Sequence, residues 1–147
     1  MRLSERAQAL LFVAVLLAAL AGLWVAVKST VPVCGPGPPV RATLQITGAS
    51  LSAGPEARTT AGCTVYDLLS EWAEDRGATL VVREASEPLG AVFVLQIGGD
   101  ANGDGGRYWQ FWVNCAYATA GADLLPLHEG DRVHWRFVSE GWEGSPC

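Results

Sequence analysis

The sequence alternates between two kinds of side chain along residues 107–114, which read RYWQFWVN. Because successive side chains of a β-strand point to opposite faces, this period of two predicts a half-buried strand over Arg107–Asn114. From Trp109 onward the odd-numbered set is purely apolar and aromatic, and we expect it to face the core: Trp109, Phe111 and Val113. We expect the even-numbered set, with one residue of a later strand, to face solvent: Tyr108, Gln110, Trp112, Asn114 and His134.

The same alternation predicts further strands on both sides of this segment. A loop rich in Gly, Ser, Ala and Thr is predicted for Gly48–Gly62, after the first of them. These strands are predicted over 40–47, Thr79–Glu84, Ala91–Ile97 and Asp131–Val138.

One helix is predicted over residues 64–77, which read TVYDLLSEWAEDRG. Val65, Leu68, Leu69 and Trp72 recur at helical spacing and form one apolar face. Thr64 is placed as the N-cap with Asp67 three residues on, and Gly77 as the C-terminal stop. One helix packed on a mostly antiparallel sheet is an α+β architecture.

The N-terminal part carries a separate apolar segment, Ala9–Val27, which contains no charged side chain and is long enough to span a bilayer. Arg2 and Arg6 precede it, and this charge bias places the later residues outside the cytoplasm. A single-pass anchor in the cell membrane is therefore expected. The triplet Ala19-Leu20-Ala21 keeps a cleaved signal peptide as the alternative.

The chain of 147 residues is thus divided into four parts: a membrane segment 1–28, a Pro/Gly-rich linker 29–39, a domain 40–138 and a tail 139–147. Beyond Lys28 it has 14 acidic residues against 7 arginines and no lysine. This acidity disfavours nucleic-acid binding. Outside the cytoplasm thiols are usually oxidised, so disulfides are expected for Cys34, Cys63, Cys115 and Cys147.

Three motifs in order, TVYDLL, RYWQFWVNCAY and GADLLPLHEGDRVHW, resemble the transcobalamin-like C-terminal domain family over roughly residues 40–138. The resemblance implies a β-grasp-like mixed sheet of about five strands with one packed helix. Cys115 departs from the family pattern, since it stands where a glycine usually follows Asn114. The topology implied by the resemblance favours pairing Cys34 with Cys115 and Cys63 with Cys147, and an intermolecular bridge through Cys34 or Cys147 is the alternative.

For function, the resemblance implies binding of cobalamin or a similar flat cofactor, although the companion helical domain of the animal carriers is missing. An exposed Tyr108 and Trp112 would offer such a ligand a stacking platform. The two residues would otherwise be ordinary cross-strand pairs or lie under the 48–62 loop. The alternative function is a surface protein-interaction or structural module without a small-molecule ligand.

Metal and catalytic sites are less favoured by the sequence. Asp100, Asn102 and Asp104 match the first half of a calcium loop, but Phe111 stands where the bidentate Glu should be. The same residues also suit a hairpin loop between strands 91–97 and 107–114. No catalytic motif is present, so the sequence predicts a protein that is not an enzyme.

Overall fold

The computed structural model describes residues 12–20, 37–84 and 91–139. Residues 12–20 form a helix, α1, whose side chains are all exposed. None of the helices in these ranges combines the length and the apolar character that a membrane span requires. The rest of the predicted segment Ala9–Val27 lies outside the described residues, as do most of the linker and the tail. The membrane anchor therefore stays a prediction.

The described part of the later chain contains eight strands and a second helix, α2 (Val65–Arg76). The strands form a five-stranded sheet and a three-stranded sheet. They are β1 (Val40–Thr47), β2 (Ser52–Thr60), β3 (Leu80–Glu84), β4 (Val92–Ile97), β5 (Asp100–Ala101), β6 (Arg107–Val113), β7 (Ala116–Tyr117) and β8 (Arg132–Ser139).

The five-stranded sheet has the order β2-β1-β8-β6-β7. The neighbouring strands β1 and β8 run parallel, and all other neighbours are antiparallel. The predicted α+β class with a mixed sheet of five strands is therefore present. The predicted strands over 40–47, 107–114 and 131–138 are confirmed to within one residue at each end.

The three-stranded sheet, β3-β4-β5, was not predicted as a separate unit. Its strands β3 and β4 match two predicted strands, but β4 pairs with β3 and β5 and not with β6. The predicted hairpin between strands 91–97 and 107–114 is therefore wrong. Residues 102–106 instead connect the two sheets, with a tight turn in which Gly103 donates to the carbonyl of Arg107.

Strand β2 contradicts the loop predicted for Gly48–Gly62. It reads SAGPEARTT, and Thr60 is its only buried residue. Such an edge strand is held by its antiparallel hydrogen bonds to β1 and not by an apolar face. Alternation of apolar residues therefore gives no signal for it.

The predicted range of helix α2 is confirmed, and so are its predicted N-cap and its predicted C-terminal stop. The Thr64 hydroxyl accepts a hydrogen bond from the Asp67 N–H at 3.1 Å, and the Asp67 carboxylate accepts one from the Thr64 N–H at 2.9 Å. Gly77 ends the helix in the left-handed conformation with φ 60°. The predicted face is buried, and each such side chain stabilises the fold by about 2 kcal/mol.

The core lies between α2 and the two sheets. Trp109 and Phe111 of β6 are buried opposite Phe137 and Trp135 of β8, as their alternation predicts. Every residue of this core falls between Ala42 and Phe137, and Cys34–Cys147 forms one compact unit. A fragment of residues 34–147 therefore contains every core residue that the structure describes.

Candidate functional site

The predicted binding face on β6 differs from the expectation at its central residue. Tyr108 is 40% exposed, but Trp112 is only 1% exposed. The Trp112 ring packs edge-on against Tyr117, its cross-strand partner, at 5.6 Å, and the Arg136 guanidinium lies 5.7 Å from its centroid. The expectation of an exposed Trp112 is therefore wrong, because neighbouring side chains cover the outer face of the sheet at this point.

Two of the remaining predicted site residues, Asn114 and His134, form hydrogen bonds with neighbouring parts of the sheet. Asn114 donates to the Asp131 carboxylate at 2.7 Å and accepts from the Arg132 N–H at 2.9 Å. His134 lies 2.9 Å from the Thr47 hydroxyl through Nε2. Burial, and secondly the charge of Arg136, lowers the pKa of His134 below 6.5. Gln110 is half-buried, so the five residues do not form one open platform.

Asn114 and Cys115 form the two-residue turn between β6 and β7. Both have positive φ, 50° and 72°, which matches the type of hairpin turn that favours Asn-Gly. Cys115 therefore keeps the turn although it lacks the freedom of glycine. Cys63 and Cys115 each form a disulfide bond, and no cysteine among the described residues is free. Cys34 and Cys147 lie outside the described residues, so the pairing stays a prediction.

The half-matched calcium loop is used as a structural clamp. The Asp100 carboxylate is 5% exposed and accepts hydrogen bonds from the backbone N–H groups of Ala49 and Ser50 at 2.8–3.0 Å. Burial raises the pKa of Asp100, but these hydrogen bonds outweigh it and hold the pKa below 3.8. The Asn102 side chain bridges the Val94 carbonyl and the Trp109 N–H.

Asp104 completes the set with a weak hydrogen bond from the Ala101 N–H at 3.3 Å. The predicted ligands thus turn toward three separate parts of the backbone. In the described ranges, no three His, Cys, Asp or Glu side chains come together as a metal-binding group. The calcium alternative stays a prediction, and the oxygens of Asp100 and Asn102 already accept hydrogen bonds from the backbone.

The described residues enclose an open cleft of about 620 Å³, and strands of both sheets line it. Phe93 and Tyr117 at its edge are 49% and 46% exposed, so the cleft is open to solvent. We call it the aromatic cleft, and its aromatic lining consists of Phe93, Trp109, Phe111, Tyr117 and Trp135.

One buried donor in the lining of the aromatic cleft has no acceptor. Trp135 is 2% exposed and stacks on Phe111 with ring centroids 4.5 Å apart. Its indole Nε1 forms no hydrogen bond. By contrast, Trp109 donates its indole N–H to the Asp100 carbonyl at 2.8 Å. The lining residues therefore combine apolar walls with two buried polar atoms that form no hydrogen bond, Nε1 of Trp135 and Oε1 of Gln110.

Sequence reasoning missed this cleft, because its residues come from five strands of two sheets. One signal was available in the segment AVFVLQI, residues 91–97, which is apolar at both alternating positions. Such a run is typical of a strand that is covered on both faces. The exposed Phe93 then marks the side on which the cover is incomplete.

A second cavity, of about 270 Å³, lies on the outer face of the five-stranded sheet. His134 and Arg132 line it together with Thr43 and Gln45. Of the five predicted site residues, His134 is therefore the one that contributes to this cavity. The cavity is smaller than the range of about 300–1,000 Å³ that is usual for ligand sites.

Comparison with known proteins gives one family match. Residues 62–139, more than half of the chain, match the family described as a domain of unknown function (DUF4430). The fold is similar to a solved protein of Ruminococcus gnavus ATCC 29149 that is described as a supposed metal binding protein. The similarity has a TM-score of 0.48 and 15% identity, and covers 70% of this chain and 99% of that one. No curated protein matches the sequence.

Proposed function

The chain belongs to the DUF4430 family, and from this premise we propose that it is a binding module for a flat, largely apolar small molecule held in the aromatic cleft. The observation that carries the proposal is an open, aromatic-walled cleft lined in part by Trp135, whose buried indole N–H has no hydrogen-bond acceptor. A volume of about 620 Å³ falls within the range of ligand sites.

The walls of the cleft suit a planar ligand. Rings such as Phe93 and Tyr117 offer a large contact area while few rotatable bonds become fixed on binding. A buried N–H without an acceptor costs about 1–3 kcal/mol. A ligand that places an oxygen or a ring nitrogen on Trp135 Nε1 would remove this cost, and this favours a ligand with one acceptor at its buried end.

Cobalamin remains the first cofactor to test, because the resemblance to the transcobalamin-like family implies it. The proposal differs from the sequence-based hypothesis in its location, since the ligand lies in the aromatic cleft and not on Trp112. We further propose a non-catalytic role at the outer side of the cell membrane, supported by the absence of catalytic motifs and by the apolar segment Ala9–Val27.

In the decisive experiment, cobalamins and smaller flat aromatic compounds are titrated into a fragment of residues 34–147 that retains all four cysteines. Trp109 and Trp135 line the cleft, so binding is expected to quench tryptophan fluorescence. Phe93→Ala should weaken binding about tenfold, because it removes one exposed wall while the core stays intact.

Two buried tryptophans provide a matched control. Trp72 on α2 also has an indole N–H without an acceptor, but it does not line the cleft. Trp135→Phe should weaken the binding of a ligand that carries a hydrogen-bond acceptor, whereas Trp72→Phe should leave the affinity for that ligand unchanged. Equal losses in the two variants, or no saturable quench in the parent fragment, would contradict the proposal.

A protein-interaction module is the second candidate, and one observation favours it. Val81 of β3 and Phe93 of β4 are large apolar side chains exposed on adjacent strands. Such a patch could contact a second protein. Two results together would support this function over ligand binding. Residues 34–147 would sediment as an oligomer that Val81→Ser dissociates, and flat ligands would not quench the tryptophan fluorescence.

A further inference from the structure

We infer that the ligand of the aromatic cleft is an anion, and that Arg83 recognises its charged group. The inference rests on the proposed function and specifies the class of ligand: a flat apolar body with a carboxylate, sulfonate or phosphate at one end. Two observations support it: Arg83 is the one charged side chain of the described cleft lining, and it forms no ion pair with a described carboxylate.

Arg83 is the one charged side chain among the described residues that line the cleft. All other lining residues are apolar or neutral, and no carboxylate is included. This contrasts with the whole chain, whose formal net charge is −5. A local positive charge in an acidic protein attracts an anion only at short range, because salt screens charges beyond about 10 Å. The cleft thus has a charge preference that the protein as a whole lacks.

The guanidinium of Arg83 is not occupied by a carboxylate of the described chain. Arg58 and Arg76 form ion pairs with Glu56, and Arg58 also contacts Asp75. Arg83 forms none of these pairs and lies directly across from Phe93 in the β3–β4 ladder. A guanidinium beside an aromatic wall can donate two parallel hydrogen bonds to an oxyanion while the ligand body packs on the ring.

Burial determines which end of the ligand carries the charge. Arg83 is exposed, whereas Trp135 is 2% exposed. An ion transferred to a buried site loses its hydration at a large cost, whereas an ion at the solvent edge keeps most of it. The anionic group therefore lies at the edge near Arg83, and an uncharged acceptor reaches the indole N–H of Trp135.

Two fluorescent probes with nearly the same aromatic body test this inference on residues 34–147. Anilinonaphthalene sulfonate carries one negative charge, whereas N-phenylnaphthylamine carries none. We expect the sulfonate to bind about tenfold more tightly, since one charge-assisted contact supplies roughly this factor. The preference should disappear in Arg83→Gln and persist in Arg41→Gln, an exposed arginine outside the cleft.

Added salt should weaken the binding of the sulfonate and leave the binding of the neutral probe unchanged. Near-ultraviolet circular dichroism verifies that each variant keeps the fold. Equal affinity of the two probes, or a sulfonate preference that survives in Arg83→Gln, would overturn the inference. In that case a loss of both probes in Phe93→Ala would still support the proposed binding site. Binding that is insensitive to Phe93→Ala would overturn both.

Discussion

Two carboxylates do the same physical work in this protein, one at the start of α2 and one beneath the turn at 48–51. Asp67 accepts hydrogen bonds from the backbone N–H groups of Cys63 and Thr64 at 2.9 Å. Asp100 accepts them from Ala49 and Ser50 at similar distances. Asp67 lies three and four residues from its two partners, whereas Asp100 lies about fifty residues from its own. The sequence predicted the role of Asp67, whereas for Asp100 it offered a hairpin loop or, less favoured, half of a calcium loop. A sequence pattern therefore reveals partners that lie close together in the chain and misses those that lie far apart.

The largest effect is expected for Asp100→Ala, which should lower the free energy of unfolding by about 3 kcal/mol. The variant leaves two part-buried backbone N–H groups without their charged acceptor. Denaturant unfolding of residues 34–147 measures this change in the free energy of unfolding. Asp104→Ala removes one weak hydrogen bond at an exposed residue and should cost about 0.5 kcal/mol or less. Similar losses in both variants would refute the assigned role of Asp100.

The pH dependence of Asp100 gives a second measure of the same clamp. Its pKa in the folded protein is lower than 3.8, so the folded state favours the ionised carboxylate. Its contribution to stability is therefore fully present above pH 3.8 and is lost as the pH falls through the lowered folded pKa. The stability difference between the parent and Asp100→Ala should shrink in this acidic range. A constant difference would show that ionisation is irrelevant.

Gly48→Ala should destabilise by about 2 kcal/mol through overpacking. An added Cβ would collide with the Asp100 carboxylate and would lie 2.9 Å from the Leu51 carbonyl oxygen. If the collision with Asp100 dominates, the two variants should couple, and Gly48→Ala should cost less in an Asp100→Ala background. A double-mutant cycle measures this coupling, and strict additivity would exclude it.

Asp67→Ala should cost about 1 kcal/mol, because it removes one half of the capping box. The local geometry lets water replace part of what is lost at the partly exposed helix start. Asp75→Ala is the control on the same helix, since its ion pair with Arg58 is exposed and is worth less than about 0.5 kcal/mol. If Asp67→Ala proved as costly as Asp100→Ala, the contrast between the two carboxylates would fail.

The smallest effect is expected at His134. Its pKa in the folded protein lies below 6.5, so below that pH the unfolded chain takes up a proton more readily than the folded protein. Stability is therefore fully present above pH 6.5 and declines as the pH falls through the folded pKa. His134→Gln keeps a polar group near Thr47 and should flatten this decline. Parallel pH profiles for parent and variant would contradict the assignment.

Features that depend on residues close together in the sequence were predicted, whereas features that depend on distant residues were not. Thr64, Asp67 and Gly77 lie within one helix, so local geometry specifies them fully. The inward set of β6 is also predicted, because alternation requires only that one face is buried. Strand β2 carries no such pattern, and its identity depends on a ladder with β1. Trp112 was misplaced for a related reason, since its cover comes from Tyr117 and Arg136 on other strands.

The amino-acid sequence alone determined helix α2, the apolar face of β6 and the mixed α+β class, because each depends on the spacing of neighbouring residues. Only the tertiary structure decided that β4 belongs to a second sheet, that Asp100 clamps the turn at 48–51, and that Phe93, Arg83 and Trp135 line one cleft. These features join residues far apart in the chain, and their energies depend on distances and burial that no local pattern contains.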